Sequence, residues 1–518
     1  MKQYETFELV LSGEAPENSY AEVNLTASFT LNGETRNVKG FYAGNNRYIV
    51  RFLPEKPGLY HYFVRGAAVL DGEEFCEASK GPATLIRTHG THFQTADGHW
   101  FYPFGTTVYA LSHQRDQLVD KTFETMRTAP FNKVRMCVFP KHYDYNTNEP
   151  ALYPFEKTPS GWNVHHPVAE YWERLEAHIQ RLNSLSIQCD LIIFHPYDRW
   201  GFSRLDRDES LIYLDYLIRR FSAFPNIWWS LANEYDLMGY NREDWKLFES
   251  FLSENDPFHH LLSNHQMLKP WSWEDDSITH ICTQTRDVNR VSLLIRQYQK
   301  PLMVDECCYE GNLPQNWGNI SGFEMVNRFW KVFCQGGYCT HGETFLDPDD
   351  IIWWSKGGTL KGESAPRIRF LRNLAESLPG PVSYCAMDLF NGEIEETQKK
   401  LPDGEKGSFA YLLKHIEPEY ARILLQQIRE FTGCCGDLAV LKYYARTCPA
   451  LGTLSLAQEG SYQIDVIDIW EMTRTTVMTD VNGDVKVPLP GKEGIAVLAT
   501  RMDLNHTYDK GNPLPGLE

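Results

Sequence analysis

The stretch Ile227-Trp228-Trp229-Ser230-Leu231-Ala232-Asn233-Glu234-Tyr235-Asp236 decides how the chain is read. It is an apolar run that stops at an amide and a carboxyl group. A run with so few polar side chains reads as a strand buried on both faces, as parallel sheets require. Similar runs lie at Trp100–Val108, Lys133–Phe139, Cys189–Phe194, His260–Asn264, Thr279–Thr283, Leu302–Asp305 and Tyr338–His341. Between several of them, as at Tyr171–Ser184 and Glu209–Phe221, apolar residues recur three and four apart, the period of an amphipathic helix. Eight strand-then-helix repeats over roughly 250–300 residues is the size of a (β/α)8 TIM barrel, an α/β fold. The rival is a doubly wound open sheet. It calls for a Gly-rich phosphate turn after an early strand, and neither GxGxxG nor GxxxxGK[ST] occurs, so the barrel is favoured.

The rhythm differs on either side. Residues 1–88 alternate with period two at Tyr20–Leu31, Val38–Tyr42, Tyr48–Phe52 and Leu59–Val64, with turn chemistry at Asn32-Gly33 and Asp71-Gly72. That pattern predicts an N-terminal β-sandwich. The barrel is expected over 89–384. Residues 385–518 read as a linker, with Asn391–Gly407 a long polar loop, and a C-terminal β-sandwich built from six runs between Ala439 and Thr500.

Bulk properties narrow the function. The 518 residues carry a net charge of −18 without a long basic run, which argues against a nucleic-acid partner. No window approaches the roughly 18–20 continuous apolar residues of a membrane helix. The N-terminus lacks the charged start and apolar stretch of a secretory signal. The 12 cysteines fall mostly in apolar runs, so the expectation is buried reduced thiols in a cytoplasmic protein. Without CxxC or HExxH there is no support for a metal site, and no cofactor motif appears.

In a barrel, chemistry projects from the C-terminal ends of strands. There, carboxylates dominate. Glu234 closes the fourth strand and Glu306 the seventh, with Glu310 one helical turn further on. Strands four and seven lie nearly opposite, so the two carboxyl groups can face each other over a central pocket. A carboxyl pair is what glycoside cleavage requires: one protonates the leaving oxygen, the other attacks the anomeric carbon or activates water. The competing reading for each Glu is a helix cap. His195 and Asp198 follow strand three, either to bind sugar hydroxyls or with Asp198 paired to Arg199. His113 follows strand one and reads more readily as a loop histidine. His341 and Glu343 close strand eight, a position that favours substrate contact. Of Trp353 and Trp354 one is expected to stack on sugar and the other to be core; the expectation placed here is Trp353. Trp271 and Trp273 form either a platform or a cover. Asp347, Asp349 and Asp350 lack the spacing of a Ca²⁺ loop.

An Asn-Glu pair closing strand four, a Glu closing strand seven and Arg135 on strand two together resemble the retaining glycoside hydrolases of clan A. More narrowly, Val304–Gly311, His341–Asp350, Trp353–Gly358 and Ile464–Thr473 are similar to bacterial glycoside hydrolases with an N-terminal β-sandwich, an apiosidase-like barrel and a short C-terminal β domain. The resemblance implies Glu234 as acid/base, Glu306 as nucleophile, Asn233 on the sugar 2-hydroxyl and Arg135 orienting Glu306. Two positions depart from the clan pattern: Tyr235 stands where Pro is frequent, and strand six ends in Thr283-Gln284-Thr285, leaving Tyr309 to supply a hydroxyl there. Asp305, Glu310 and Glu343 remain open as partners in the work.

The function expected is therefore hydrolysis of O-glycosidic bonds in short oligosaccharides. The alternative from another class is a non-catalytic carbohydrate-binding protein on the same barrel. A metal-dependent amidohydrolase would need His-x-His after strand one, which is missing. The flanking β domains are read as packing on the barrel, with pocket shaping and a homo-oligomer contact as their two open uses.

Overall fold

The computed structural model describes residues 1–159, 161–346, 351–385, 394–427 and 430–504. Eight parallel strands form the central sheet: strand 1 (Phe104–Thr107), strand 2 (Lys133–Cys137), strand 3 (Gln188–Phe194), strand 4 (Ile227–Ala232), strand 5 (Leu262–Ser263), strand 6 (Ile281–Gln284), strand 7 (Leu302–Glu306) and strand 8 (Tyr338–His341). Their order runs 5-4-3-2-1-8-7-6. Strand 1 pairs with both 2 and 8, Gly105 opposite Lys133 and Thr106 opposite His341, so the sheet curls into a barrel. The seam lies between strands 5 and 6, where the ladder is replaced by Thr279 N–H to Leu262 O (3.0 Å) and Gln266 Nε2 to Thr283 Oγ1 (2.9 Å). Strands 3 and 4 are buried at every position, as their apolar sequences require.

Helices follow most strands: Asp116–Thr128, Ala169–Ser184, Arg207–Phe221, Arg242–Asn255, Val291–Tyr298, Gly322–Cys334 and Ser364–Ser377. The repeat breaks once. Residues 264–280 join strands 5 and 6 without a helix. Pro270, two tryptophans and three adjacent acids leave no amphipathic turn to build one. The run Trp100–Val108 also divides. Trp100–Phe101 belongs to a three-stranded sheet with Ile86–His89 and His92–Thr95, and Phe93 of that sheet packs on Trp228 (centroids 5.1 Å).

Two antiparallel sheets precede the barrel. One holds Phe7–Ser12, Phe41–Tyr42 and Arg47–Phe52; the other holds Leu25–Leu31, Glu34–Lys39, Gly58–Gly66 and Leu70–Cys76. Leu25–Leu31 alternates buried and half-buried residues along its length, and Phe29 stacks on Phe52 at 4.1 Å across the two sheets. Arg51 reaches out of this layer to Glu176 of the barrel (Nη1–Oε1 2.5 Å), which Arg220 also holds at 2.7 Å. After the barrel, a six-stranded antiparallel sheet and a two-stranded one (Leu451–Ser455, Asp484–Pro488) enclose Leu454, Ile464, Val487 and Val497.

The loop expected at Asn391–Gly407 is corrected in part: residues 391–393 lie outside the described residues, and 401–407 carry no helix or strand. Ile394–Lys400 is helical and joins Phe409–His415 and Pro418–Gln427 in a small cluster around Ile394, Leu413 and Ala421. One apolar residue at the start of a polar helix is too weak a pattern to read. The Asp347, Asp349 and Asp350 cluster lies outside the described residues. Among the described residues no helix is long and apolar enough to cross a membrane.

Candidate active site

Glu234 and Glu306 each stand where a barrel strand stops, and both leave through left-handed backbone. Glu234 itself has φ +56°, and Cys308, two residues past Glu306, has φ +68°. Non-glycine residues rarely hold that region, and they concentrate where geometry serves function. The helix-cap reading of Glu234 is not what the side chain does: it makes no cap bond and accepts from the Tyr197 hydroxyl instead.

The two carboxyl groups sit in unlike surroundings. Glu306 is 4 % exposed and accepts the Tyr109 hydroxyl at Oε1. Arg135 Nη1 lies 3.5 Å from the same oxygen and its Nη2 3.3 Å from Asn233 Oδ1. Among the described residues, Glu234 has no such cation in ion-pair contact. Burial first, then the charge of Glu306, push its carboxyl up to about 7, against smaller opposing effects of Lys141, Tyr197 and Gln284. Glu234 is thus the member of the pair that keeps its proton up to near neutral pH. Both phenols stay protonated: burial, then the facing carboxylate, holds Tyr109 and Tyr197 well above the ordinary tyrosine range.

His265, two residues past strand 5, ties the two strand ends together. Its Nδ1 accepts the Glu234 backbone N–H at 3.3 Å, and its Nε2 is 3.8 Å from Glu306 Oε1. Burial, then Arg135, keeps the ring neutral, so the proton belongs on Nε2, toward the carboxylate. Beneath lies a buried ion network. Lys133 Nζ bonds Asp190 and, at 2.8 Å, Asp305. Asp305 also accepts from Thr340 (2.7 Å) and Cys282 (3.0 Å), while Arg135 Nε sits 3.6 Å from Asp190. Asp305, adjacent to Glu306 in sequence, is therefore occupied below the site.

Several expected residues turn to other work. Glu310 accepts Glu363 N–H (2.7 Å), Ser364 N–H (3.2 Å) and the Ser364 hydroxyl (2.5 Å), capping the helix that begins at Ser364. A Cβ on Gly362 would lie 2.4 Å from its Oε2, so the loop closes tightly over it. Glu343 accepts Lys361 N–H (2.6 Å) and Gly362 N–H (2.8 Å) beside it, and burial raises its carboxyl to about 7. Ligand atoms of Glu310, His341 and Glu343 lie within 4.8 Å of one another. All four carboxylate oxygens already accept hydrogen bonds, which is the chemistry of a helix-start clamp rather than of a metal centre. His341 stacks on Phe131 (4.8 Å) and meets Thr106 Oγ1 at 3.2 Å, in the layer outside the strands.

Trp353 is corrected in the same way. It opens a short helix (Trp353–Lys356), is buried, and donates its indole N–H to Thr106 Oγ1 at 2.9 Å. Trp354 is the one at the site, edge-on to Tyr109 (5.8 Å) and 5.4 Å from the Tyr309 ring. Gly342 makes room for Tyr309, since a Cβ there would meet that ring at 2.0 Å. Tyr309 is fully buried next to Glu306, whose charge adds to burial in raising its phenol. His195 is buried with Nε2 3.2 Å from Phe139 O, and burial lowers it to about 4. Asp198 accepts the N–H groups of Trp200, Gly201 and Ser203, and Arg199 pairs with Glu149 instead. His113 stacks on Tyr171 (5.9 Å). Trp271 and Trp273 are buried, the first on Tyr235 and Glu249 and the second on Tyr298, so they cover the barrel rather than line its mouth. Tyr109, Lys141, Tyr197 and His265 were not singled out from sequence.

A nearly closed parallel barrel with two carboxyl groups at the ends of strands 4 and 7 has the fold of the glycoside hydrolases. Comparison agrees: a candidate glycoside hydrolase from Bacteroides vulgatus ATCC 8482 is 29% identical, covers 97% of this chain and 99% of its own, and superposes with a TM-score of 0.84. A glycoside hydrolase family 5 structure from the same organism is 14% identical over 83% of this chain and 96% of its own, TM-score 0.59, and shares the fold. The chain belongs to the apiosidase-like family: the model of its catalytic domain matches residues 87–379. Models of two domains of unknown function, DUF5060 and DUF5605, match residues 1–66 and 430–500. No curated protein matches the chain.

Proposed function

We propose that the protein is a retaining β-glycosidase that cleaves O-glycosidic bonds in oligosaccharides, with Glu234 as acid/base and Glu306 as nucleophile. The observation that carries this reading is the asymmetry of the pair: Glu306 faces Arg135 and the Tyr109 hydroxyl, whereas burial raises Glu234 to about 7. In the first step Glu234 gives its proton to the leaving oxygen as Glu306 attacks the anomeric carbon. In the second, Glu234, now ionised, takes a proton from water, which displaces Glu306 and frees the sugar. Asn233, held by Arg135 and Tyr109, is positioned for the 2-hydroxyl.

The test is hydrolysis of a panel of aryl β-glycosides by wild type, Glu234→Gln and Glu306→Gln. The panel includes an apioside because of the family description. Turnover by wild type and a loss of at least about 10³-fold in both folded variants is expected. Sugar binding without turnover of any glycoside would contradict catalysis and favour a carbohydrate-binding protein.

A further inference from the structure

Lys141 lies past the end of strand 2 and is 2 % exposed. A buried ammonium normally faces a carboxylate. Lys133 and Arg135 in the same barrel do so. Among the described residues, the Lys141 ammonium has neither a carboxylate in ion-pair contact nor a hydrogen-bond acceptor. It is surrounded by rings: 3.4 Å from the Tyr109 centroid, 4.2 Å from Tyr197, 4.9 Å from Tyr143 and 5.9 Å from Trp354. Tyr109 bonds Glu306 and Tyr197 bonds Glu234. The ammonium therefore sits beside the two phenols that bond the two carboxyl groups.

Ring faces attract a cation but do not satisfy three N–H donors. From this geometry we infer that Lys141 is a substrate-binding residue that donates to a hydroxyl of a neutral sugar at the cleavage point. The inference rests on the glycosidase reading and deepens it. A sugar carboxylate reaching Lys141 would also lie beside Glu306, which repels it. A hydroxyl gives the ammonium its acceptor without that cost. The aromatic faces around it suit the apolar face of a sugar ring.

The test compares wild type with Lys141→Met and Lys141→Gln, each checked for folding by thermal melt, on the glycoside that wild type hydrolyses fastest and on its monodeoxy series. Lys141→Met is expected to lose at least about 100-fold in kcat/KM, and Lys141→Gln, which keeps a donor, less. At one deoxy position wild type should fall to within about threefold of Lys141→Met, because the shared contact is gone. Lys141→Met within about threefold of wild type on the full sugar overturns the inference. So does an equal loss at every deoxy position, which marks a purely structural lysine, or faster wild-type turnover of a uronide than of the neutral glycoside. If wild type hydrolyses nothing, calorimetric titration with the free sugars decides. Binding that Lys141→Met retains overturns this inference alone, binding it loses supports it, and no binding by wild type overturns it together with the glycosidase reading.

Discussion

The Tyr109 hydroxyl donates to Glu306 Oε1 while lying 3.0 Å from Asn233 Oδ1. One phenol just past strand 1 thus links the residue that closes strand 7 to the pair that closes strand 4. A hydrogen bond to a charged group contributes about 1.5–3 kcal/mol. Tyr109→Phe should lower kcat/KM by roughly 10- to 100-fold with little change in melting temperature, measured on the glycoside the wild type turns over best. An unchanged kcat/KM would remove Tyr109 from the mechanism.

The raised Glu234 carboxyl fixes the pH profile. As the acid it must carry its proton, so kcat/KM should fall as pH rises through about 7. The same shift predicts a stability effect. A carboxyl whose folded pKa is raised contributes stability that is fully present below the unfolded value near 4.5 and lost as pH rises through about 7. Glu234→Gln does not titrate. Its melting temperature relative to wild type should therefore climb between pH 4.5 and pH 8, with a gain of up to ~3 kcal/mol at the alkaline end. A pH-independent difference would contradict the assignment.

Glu310 and Glu306 are separable by one substitution each. Glu310→Gln puts an amide N–H against the backbone donors of Glu363 and Ser364, so the variant should melt lower by about 1–3 kcal/mol of stability. Its turnover, measured below the melt, should stay within a few-fold of wild type. A loss of 10³-fold in Glu310→Gln with activity kept in Glu306→Gln would move the nucleophile.

Lys133 supports the site from below. Lys133→Met leaves Asp190 and Asp305 buried without their shared cation, which should cost about 3–5 kcal/mol in chemical denaturation. A variant as stable as wild type would show that Arg135 alone balances both aspartates.

The barrel was legible because its strands are apolar runs with sharp polar ends, a signal that puts Glu234 and Glu306 at strand ends, where the structure also has them. The same rule, extended from carboxylates to hydroxyls and imidazoles, finds Tyr109 directly after the first run and His265 directly after the fifth. Tyr197 and Lys141 lie further into loops, and no spacing marks a loop residue that folds back over a strand end. Glu310, Glu343 and Trp353 misled for the opposite reason. They belong to the specific run near strands 7 and 8, but that run encodes a clamp on the helix at Ser364 and a tryptophan on Thr106, which sequence cannot separate from a substrate site. The helical cluster around Ile394 was hidden by a polar composition with one apolar anchor.

The most direct test of the central claim is mass spectrometry of peptides after incubation with a 2-deoxy-2-fluoro glycoside of the sugar that the wild type hydrolyses. A glycosyl adduct on Glu306, accumulating in wild type and absent from Glu306→Gln, is the result predicted for a retaining enzyme with this nucleophile. An adduct on Glu310 or Glu234, or steady turnover with inversion and no adduct, would contradict it.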